Sequence, residues 1–324
     1  MGSSEQIGRE SEIRDMAREK AKGMKLPANP LALLKAISSA EEKSTAEFKL
    51  SLFIDRSLDP ALVAYAKKAF RPTTENLSLE VIPYDEDHVE FSPGSELVII
   101  MAAQAPITGR LLNRAFREQL PAVVVTLDPV GLQKIAREYF NEIDAGSIVT
   151  SADNTDKEER FSRLFKELGS WIVRNFPEGL LPMARALPFV REPFVQNAIQ
   201  ITSLQNAAIA AVFFLPGADM PLLTLNQVKL FLQIAAAYDA ELDKKRMIEL
   251  LALSLGGLGF RALARRLVVL LPVFGWAVRG SVGYGGTLAI GKVAQQYFER
   301  GGDIKSIYKG MKKPSQTEAL QGKD

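Results

Sequence analysis

The chain has 324 residues, 47% of them hydrophobic, which predicts about two folded domains and excludes a wholly disordered protein. Its 40 Lys and Arg residues nearly balance its 38 Asp and Glu residues, so the overall charge does not indicate nucleic-acid binding. The absence of Cys and the single histidine, His88, exclude disulfides, thiolate sites and multi-histidine metal sites. This composition suits a reducing cytoplasm.

Residues 1–47 form a densely charged N-terminal segment that we expect to be partly helical. Leu33, Leu34 and Ile37 have helical spacing and predict a short helix over 31–43. Residues 2–25 are polar and lack the apolar core of a secretory signal, so we expect a chain that starts in the cytoplasm.

Residues 48–176 alternate short apolar runs with helical patterns, which predicts an α/β domain. The expected strands are 48–55, 77–84, 96–103, 121–127 and 146–151. The expected helices are 62–70, 107–119, 132–142 and 157–175, the last capped by Asp153 or Thr155. The continuous apolar runs in the third and fourth strands predict burial on both faces, as in an open and mostly parallel sheet.

From residue 177 the strand pattern stops, and we predict an all-α domain over 177–302 followed by a loose tail over 303–324. Residues 193–218 carry no charge but contain several Asn and Gln residues, which is typical of a shielded helix. Further helices are expected over 222–238 and 243–255. A long apolar stretch, rich in Gly, extends over 260–291.

The α/β domain resembles the Ras-like GTPase fold at two points. The strand 121–127 ends at Asp128, which matches the aspartate of the guanine-reading Asn-Lys-x-Asp loop, although Thr126 and Leu127 do not match the asparagine and lysine. Ser151 and Ala152 match the later Ser-Ala-Lys turn, in which Asp153 replaces the lysine. In that family the aspartate accepts hydrogen bonds from guanine, so the resemblance implies a weakened base site.

The phosphate loop of that family is absent from the expected position. The segment 55–61 has neither Gly nor Lys, and its two carboxylates would repel phosphate. Arg56 is the one cation there, and we interpret it chiefly as a solvated loop residue near the start of a helix that is capped by Ser57 or Asp59. If a nucleotide binds nonetheless, Arg56, Asp128 and Ser151 are the residues expected to contact it. Otherwise no cofactor is expected.

Two other motifs are interpreted as structural. The segment 286–293 reads G-x-x-x-x-G-K but ends in Val293, which cannot bind magnesium, and no predicted strand precedes it. We therefore expect close helix packing through small residues there. The acidic segment 85–90 offers carboxylates and His88 to a divalent cation, but a polar turn explains it equally well because its spacing fits no calcium loop.

The C-terminal half resembles the bacterial family called domain of unknown function 697 over about 195–300. The residues that carry this resemblance are Pro216, Gly217, Asp219, Gln227, Tyr238, Gly259, Arg261, Pro272, Gly275, Thr287 and Gly291. Such domains follow GTPase domains or occur in membrane-associated proteins, and their molecular role is not established. The resemblance implies a degenerate, GTPase-like partner domain and association with the inner membrane through 193–298.

The same residues have a physical interpretation that does not depend on the family. Pro216 and Gly217 break a helix and Asp219 can cap the next one, so a structural corner is favoured over ligand binding. We expect Gln227 and Tyr238 to be buried hydrogen-bonding residues. The many glycines after residue 255 cost about 1 kcal/mol each in an isolated helix, and this cost predicts close backbone approach.

Hydropathy leaves the relation to the membrane open. Arg279 separates two apolar runs of twelve residues, 267–278 and 280–291, and a span needs about 20. An interfacial hairpin flanked by cations fits these runs better than a spanning helix, and a soluble helical domain fits almost equally well.

The sequence thus predicts a non-enzymatic, cytoplasm-facing adaptor, in which a GTPase-like domain without phosphate chemistry is joined to a membrane-associating helical domain. The alternatives are an atypical guanine-nucleotide switch and a soluble helical interaction module. The expected partners are a protein, an anionic membrane surface and, as a further option, a second copy of the chain. Nucleic acid is not expected.

Overall fold

The computed structural model describes residues 38–40, 42–84, 91, 94–103, 106–139, 143–151, 156–176, 179–212, 220–240 and 275–301. Most of the predicted N-terminal segment, the helix over 243–255 and the tail over 303–324 lie outside these residues. The acidic segment 85–90 lies outside them as well. By contacts along the chain, the protein divides into a sheet unit, 41–197, and a helical unit, 1–40 with 198–324.

The described residues of the sheet unit contain five parallel strands in the order β2-β1-β3-β4-β5. The strands are β1 (Phe48–Asp55), β2 (Leu77–Tyr84), β3 (Leu97–Met101), β4 (Ala122–Val125) and β5 (Ile148–Val149). The helices that follow them are α1 (Pro60–Ala69), α2 (Thr108–Arg117), α3 (Pro129–Tyr139) and α4 (Lys157–Asn175). The predicted α/β class and parallel sheet are therefore confirmed.

Burial explains why the central strands read as continuous apolar runs. Val98, Ile99, Ile100 and Met101 of β3 are all fully buried, because helices cover both faces of the sheet. In the end strand β2, by contrast, only Leu77 and Tyr84 are buried, and Val81 is exposed. The apolar pattern thus distinguishes the centre of this sheet from its edge.

Two clusters of side chains hold the helices on the sheet. One joins Phe53, Tyr84 and Ile100 to Leu111 of α2 and Leu132 of α3. The other is aromatic, with Phe165 of α4 in ring contact with three neighbours, namely Tyr65, Phe70 and Phe189. Each burial of a large apolar side chain contributes about 1.5–3 kcal/mol, so these clusters dominate the stability of the unit.

The sheet unit extends past the predicted boundary at residue 176. The chain continues as α5 (Leu180–Ala186) and α6 (Pro188–Val212), and residues up to Asn197 belong to the sheet unit. The physical reason is packing: a Cβ on Gly169 of α4 would lie 2.2 Å from the carbonyl oxygen of Phe189. Only glycine permits so close an approach. The predicted boundary rested on the end of the strand pattern at Asn175, and that pattern does not indicate a contact between two helices.

The helical unit is described over the second half of α6, α7 (Met220–Ala237) and α8 (Gly275–Glu299). Helix α8 is continuous through Arg279 and Gly280, so a hairpin turn cannot lie there, and residues 275–291 of the apolar stretch form one helix with residues 293–298. The predicted close approach through glycine is confirmed at Gly283, where a Cβ would lie 2.7 Å from the carbonyl oxygen of Asn206 on α6.

Candidate functional site

The strand order places a crevice between the carboxyl ends of β1 and β3. From β1 the chain leads first to β2 on one side and later to β3, β4 and β5 on the other, so the direction of winding reverses at this point. Ligands of open parallel sheets bind in the crevice formed at such a reversal. The carboxyl edge of the sheet is therefore the first candidate site.

Asp55, the last residue of β1, occupies this crevice. Its side chain is buried, and Oδ1 accepts hydrogen bonds from the backbone N–H of Ser57 at 2.8 Å and from its hydroxyl at 2.7 Å. Oδ2 accepts a hydrogen bond from the N–H of Ala103, beyond β3, at 2.9 Å. The carboxylate thus ties the turn after β1 to the turn after β3, in the place where an anionic ligand would bind.

Tyr84 closes the neighbouring end of β2. Its ring is fully buried, and its hydroxyl lies 3.0 Å from that of Thr108 in the first turn of α2. Burial raises the pKa of this phenol far above its usual range, because the phenolate would lose its hydration. Tyr84 is therefore a neutral hydrogen-bonding residue that positions α2 against the sheet.

Aspartates also occupy the N-termini of helices at this edge. Within the described part of the chain, Asp59 caps α1, Asp128 caps α3 and Asp156 caps α4, each by accepting a backbone N–H. The cap of α4 is thus Asp156, and the prediction of Asp153 or Thr155 was wrong. Helix N-termini are the usual sites for phosphate groups, so carboxylates in these positions compete with an anionic ligand.

The cap of α1 is strengthened by a cation. Asp59 accepts the Ala61 N–H at 2.9 Å, and Lys157 of α4 lies 3.0 Å from its other oxygen. The backbone hydrogen bond, together with that ion pair, lowers the pKa of Asp59 below its ordinary value. Of the two caps predicted for α1, Asp59 is confirmed.

The three residues predicted to contact a nucleotide all lie along the carboxyl edge, but they do not form one group. Asp128 and Ser151 follow the neighbouring strands β4 and β5, whereas Arg56 follows β1 and is separated from β4 by β3. With strands about 4.8 Å apart, this separation is roughly 10 Å. Arg56 is exposed, and its backbone N–H donates to the carbonyl of Tyr84.

Asp128 serves the local structure. Its Oδ1 accepts the N–H of Gly131 at 2.8 Å, and its own N–H donates to the hydroxyl of Thr126 at 3.1 Å. A Cβ at residue 131 would lie 2.1 Å from Oδ2 of this aspartate, so the capping geometry needs the glycine. The sequence match to a guanine-reading aspartate thus falls on a helix cap.

Ser151 is one of two polar groups at the end of β5 with unused hydrogen-bonding capacity among the described residues. It is buried, and its hydroxyl oxygen has no hydrogen-bond partner among the described residues. The hydroxyl of the preceding Thr150 is likewise buried and without such a partner. Nearby, Arg160 of α4 donates to the carbonyl of Leu127 at 2.8 Å. Residues 152–155, which include Ala152, lie outside the described residues.

Only part of the predicted motif of the C-terminal half can be located. Pro216, Gly217, Asp219, Gly259, Arg261 and Pro272 lie outside the described residues, and Gly275 begins α8. The Tyr238 hydroxyl donates to Glu299 at 2.8 Å and its ring stacks on Phe298. A Cβ at Gly291 would lie 2.7 Å from the side chain of Ile199 on α6. These contacts are structural.

Gln227 and Thr287 belong to a polar network inside the helical unit. The Thr287 hydroxyl accepts a hydrogen bond from Nδ2 of Asn206 at 2.8 Å and donates to the carbonyl of Gly283 at 2.9 Å. Asn226 donates to Asn206 at 2.9 Å, and Gln227 donates to Thr287 at 3.4 Å. The network adds hydrogen bonds to the apolar contacts of α7 and α8, such as that between the rings of Phe231 and Phe298.

Several outward side chains of the same helices are large and apolar. On α6, Leu204 is 67% exposed and Val212 is 68% exposed, while the intervening Asn206 is fully buried. The polar side chains that are buried on the three helices are Thr202, Ser203, Asn206, Thr224, Thr287 and Gln295. The large apolar side chains that are exposed on them are Ile201, Leu204, Val212, Leu222, Tyr284 and Val293.

In the second half of α6 this arrangement inverts the polarity of a water-soluble helix, which buries its apolar stripe and exposes its polar face. Helices α7 and α8 bury apolar side chains such as Phe231 and Phe298, and their exposed apolar residues extend the apolar surface of α6 only singly. Sequence hydropathy could not reveal the inversion, because it depends on which way each helix is rotated. The helical unit is therefore the second candidate site.

In the described part of the chain, no group of three or more His, Asp or Glu residues could hold a metal ion. None of its helices has both the length and the apolar character needed to cross a bilayer.

Comparison with known proteins gave no assignment: no protein-family model, curated protein or solved structure matches this chain.

Proposed function

We propose that this protein is a non-enzymatic adaptor that attaches to an anionic membrane surface through its helical unit. In this proposal the sheet unit is a GTPase-like domain without phosphate chemistry, and the helical unit is a domain of the kind called domain of unknown function 697. Attachment is peripheral and faces the cytoplasm. The observation that carries it is the inverted polarity of the second half of α6, where Leu204 and Val212 are exposed while Ser203 and Asn206 are buried.

For the exposed apolar side chains, transfer from water to a lipid or protein surface is favourable. Burying a Leu or Val side chain contributes about 1.5–3 kcal/mol, and the six exposed side chains remain in water unless something covers them. Lys229 and Lys292 are exposed on α7 and α8 and supply charges that anionic headgroups attract. Apolar side chains with flanking cations are typical of interfacial helices.

The sheet unit supports the non-enzymatic part of the proposal. The buried carboxylate of Asp55 fills the crevice between β1 and β3 and accepts three hydrogen bonds there. Hydrogen bonds to a charged group contribute about 1.5–3 kcal/mol each, so an incoming phosphate would have to break strong contacts and approach a like charge.

Flotation of the full chain on vesicles tests the membrane assignment. Wild-type protein should float with vesicles that contain phosphatidylglycerol and float less with neutral phosphatidylcholine vesicles. Replacing Leu204 and Val212 together by Glu should abolish flotation, because charged groups would have to enter the interface. The matched control is Phe116→Glu, which changes a side chain of α2 that is 83% exposed in the sheet unit.

Wild-type protein that stays unbound and monodisperse would refute membrane attachment and favour the soluble interaction module. Equal flotation of the Leu204→Glu, Val212→Glu double variant and the wild type would assign attachment to another part of the chain.

An atypical nucleotide switch is the second candidate, and the unused hydroxyl of Ser151 beside Asp128 favours it. Titration with labelled GTP tests it. Micromolar, magnesium-dependent binding that is lost in Asp128→Ala but kept in Phe116→Glu would overturn the adaptor proposal. The circular dichroism of Asp128→Ala should be recorded as well, since the substitution removes the cap of α3.

A further inference from the structure

An open groove of about 610 Å³ lies on the sheet unit between α3 and the end strand β5. One wall consists of α3 residues, and the other consists of the short 3-10 turn at Ala145–Ser147 and the strand that follows it. The residues that line it are Pro129, Val130, Gln133, Lys134, Arg137, Ala145, Ile148 and Thr150. The candidate nucleotide residues are not among them.

The lining combines an apolar floor with positive charge. Val130 is 79% exposed although it is a large aliphatic residue at the start of a helix, and Pro129 and Ile148 extend the apolar surface. Lys134 and Arg137 are exposed on the same side of α3, and none of the eight lining residues is acidic. This chemistry complements a partner that carries carboxylates next to a large apolar side chain.

Both walls are held in place by specific hydrogen bonds. Gln133 donates from Nε2 to the carbonyl of Ile143 at 2.5 Å and accepts the N–H of the same residue at 3.2 Å. The Trp171 indole N–H of α4 donates to the carbonyl of Gly146 at 2.6 Å. A groove fixed in this way loses little conformational entropy on binding.

The hydroxyl of Thr150 adds a polar group to the apolar floor. It is buried and has no hydrogen-bond partner among the described residues, although Thr150 lines the groove. A buried hydroxyl normally has a partner, and a carboxylate oxygen is a strong acceptor for it.

We infer that this groove binds a short acidic peptide segment of a partner protein, with an aliphatic or aromatic side chain against Val130 and carboxylates near Lys134 and Arg137. The inference rests on the proposed adaptor function for the expectation of a protein partner, and it names the site and the chemistry of that partner. It does not depend on membrane attachment.

Fluorescence anisotropy with the full chain in detergent tests the charge complementarity. The probes are two fluorescein-labelled peptides of equal length, one of alternating Glu and Leu and one of alternating Lys and Leu. The acidic peptide should bind more tightly, and replacing Lys134 and Arg137 together by Glu should weaken it by about tenfold or more. The matched control replaces Lys67 and Lys68, which are exposed in the last turn of α1, by Glu.

Crosslinking locates the bound peptide independently of its affinity. Because the chain has no Cys, Val130→Cys and Phe116→Cys each carry a single site for a photoreactive label. The acidic peptide should be captured from residue 130 and not from residue 116, the exposed aromatic position on α2.

Equal binding of the acidic and basic peptides, or equal loss in both charge-reversal variants, would overturn the inference. So would capture from residue 116 alone. If the peptides fail to bind and the reversal at Lys134 and Arg137 instead reduces flotation on anionic vesicles, the groove faces lipid and the peptide assignment is wrong. Failure of the membrane proposal shows separately, in the flotation of the Leu204→Glu, Val212→Glu variant.

Discussion

The sheet unit and the second half of helix α6, in the helical unit, use apolar residues in opposite ways. In the sheet unit the apolar runs form the interior, as in β3, where all five residues are buried. In α6 the side chains of Ser203 and Asn206 are buried while Leu204 and Val212 face outward, although α7 and α8 bury apolar residues such as Phe231. The difference shows that hydrophobic content measures how much apolar surface a segment has, and that helix rotation decides where the surface goes.

Both units contain buried polar groups with and without partners. In the sheet unit, Asp55 accepts three hydrogen bonds, whereas the hydroxyls of Thr150 and Ser151 have no hydrogen-bond partner among the described residues. In the helical unit the Thr287 hydroxyl is hydrogen-bonded, whereas those of Ser203 and Thr224 have no such partner. A buried polar group without a partner costs about 1–3 kcal/mol, so these hydroxyls lower the stability of both units.

The largest expected effect tests the core of the sheet unit. Phe165→Ala should lower the free energy of unfolding by about 3–5 kcal/mol, because the ring is buried against Tyr65, Phe70 and Phe189. Urea unfolding followed by Trp171 fluorescence, in a Trp276→Phe background, measures it. Phe116→Ala removes an exposed ring and should change the stability by no more than about 0.5 kcal/mol.

Equal losses for Phe165→Ala and Phe116→Ala would mean that the ring of Phe116 is covered in solution, and the contrast between the two units would then weaken.

The second effect tests the close packing of the helical unit. Gly283→Leu should separate α8 from α6 and cost about 1–3 kcal/mol, since a Cβ there already meets the Asn206 carbonyl oxygen. Gly285→Leu is the matched control, because no atom lies within 4 Å of a Cβ at that position. Hydrogen exchange of the α8 amides should accelerate in the first variant and stay unchanged in the second.

If both leucine variants exchange at the wild-type rate, the contact between α6 and α8 does not hold the helical unit together.

A third and smaller effect tests whether the aspartates at the sheet edge are structural. Asp128→Ala should destabilise the sheet unit by about 1 kcal/mol through loss of the α3 cap, and Asp128→Ser should restore most of it. Thermal unfolding of the two variants measures the difference. Destabilisation by both variants to the same extent would show that capping is not the role of this side chain.

The smallest effect is a dependence on pH that separates the units. Asp59 has a pKa below its ordinary value, so its contribution to stability is present above the pKa of the unfolded chain and is lost as the pH falls through the folded pKa. Acid unfolding of the sheet unit should therefore shift in Asp59→Asn, and the difference from wild type should shrink in high salt, because this carboxylate is exposed.

The polar network of the helical unit contains Asn206, Asn226, Gln227 and Thr287, and none of these side chains titrates. Hydrogen exchange of α8, corrected for its intrinsic dependence on pH, should not change over the same acid range. If acid reduced the hydrogen-exchange protection of α8 as much as that of the sheet unit, the predicted difference in pH dependence between the two units would be wrong.

Much of the sheet unit could be predicted because its elements carry local signals. The bounds of β1, β2 and α4 agree with those predicted from their apolar residues, and Asp59 caps α1, as predicted. The predicted domain boundary at residue 176 differs from the division by contacts along the chain, which places residues up to Asn197 in the sheet unit. The packing of Phe189 depends on Gly169, which lies in another helix and leaves no periodic mark in the sequence.

The candidate sites were harder to predict. The motif match at Asp128 predicts a guanine contact, and no motif indicated that this side chain also accepts the N–H of Gly131 as the cap of α3. Asp55 was counted only as a charge that repels phosphate, although a carboxylate at the end of a buried strand is a signal that it could be buried. The groove beside Val130 combines residues from α3 and β5, and no motif joins them.

The sequence by itself determined the alternation of strands and helices, the absence of Gly and Lys from residues 55–61 and the uncharged run over 193–218, because these properties depend on residue type and near neighbours. Only the tertiary structure decided that Asp55 bridges β1 and β3, that Leu204 faces outward while Asn206 faces inward, and that Lys134 lies beside β5. The physical reason is that rotation of a helix and pairing of distant strands are set by packing, which no local pattern records.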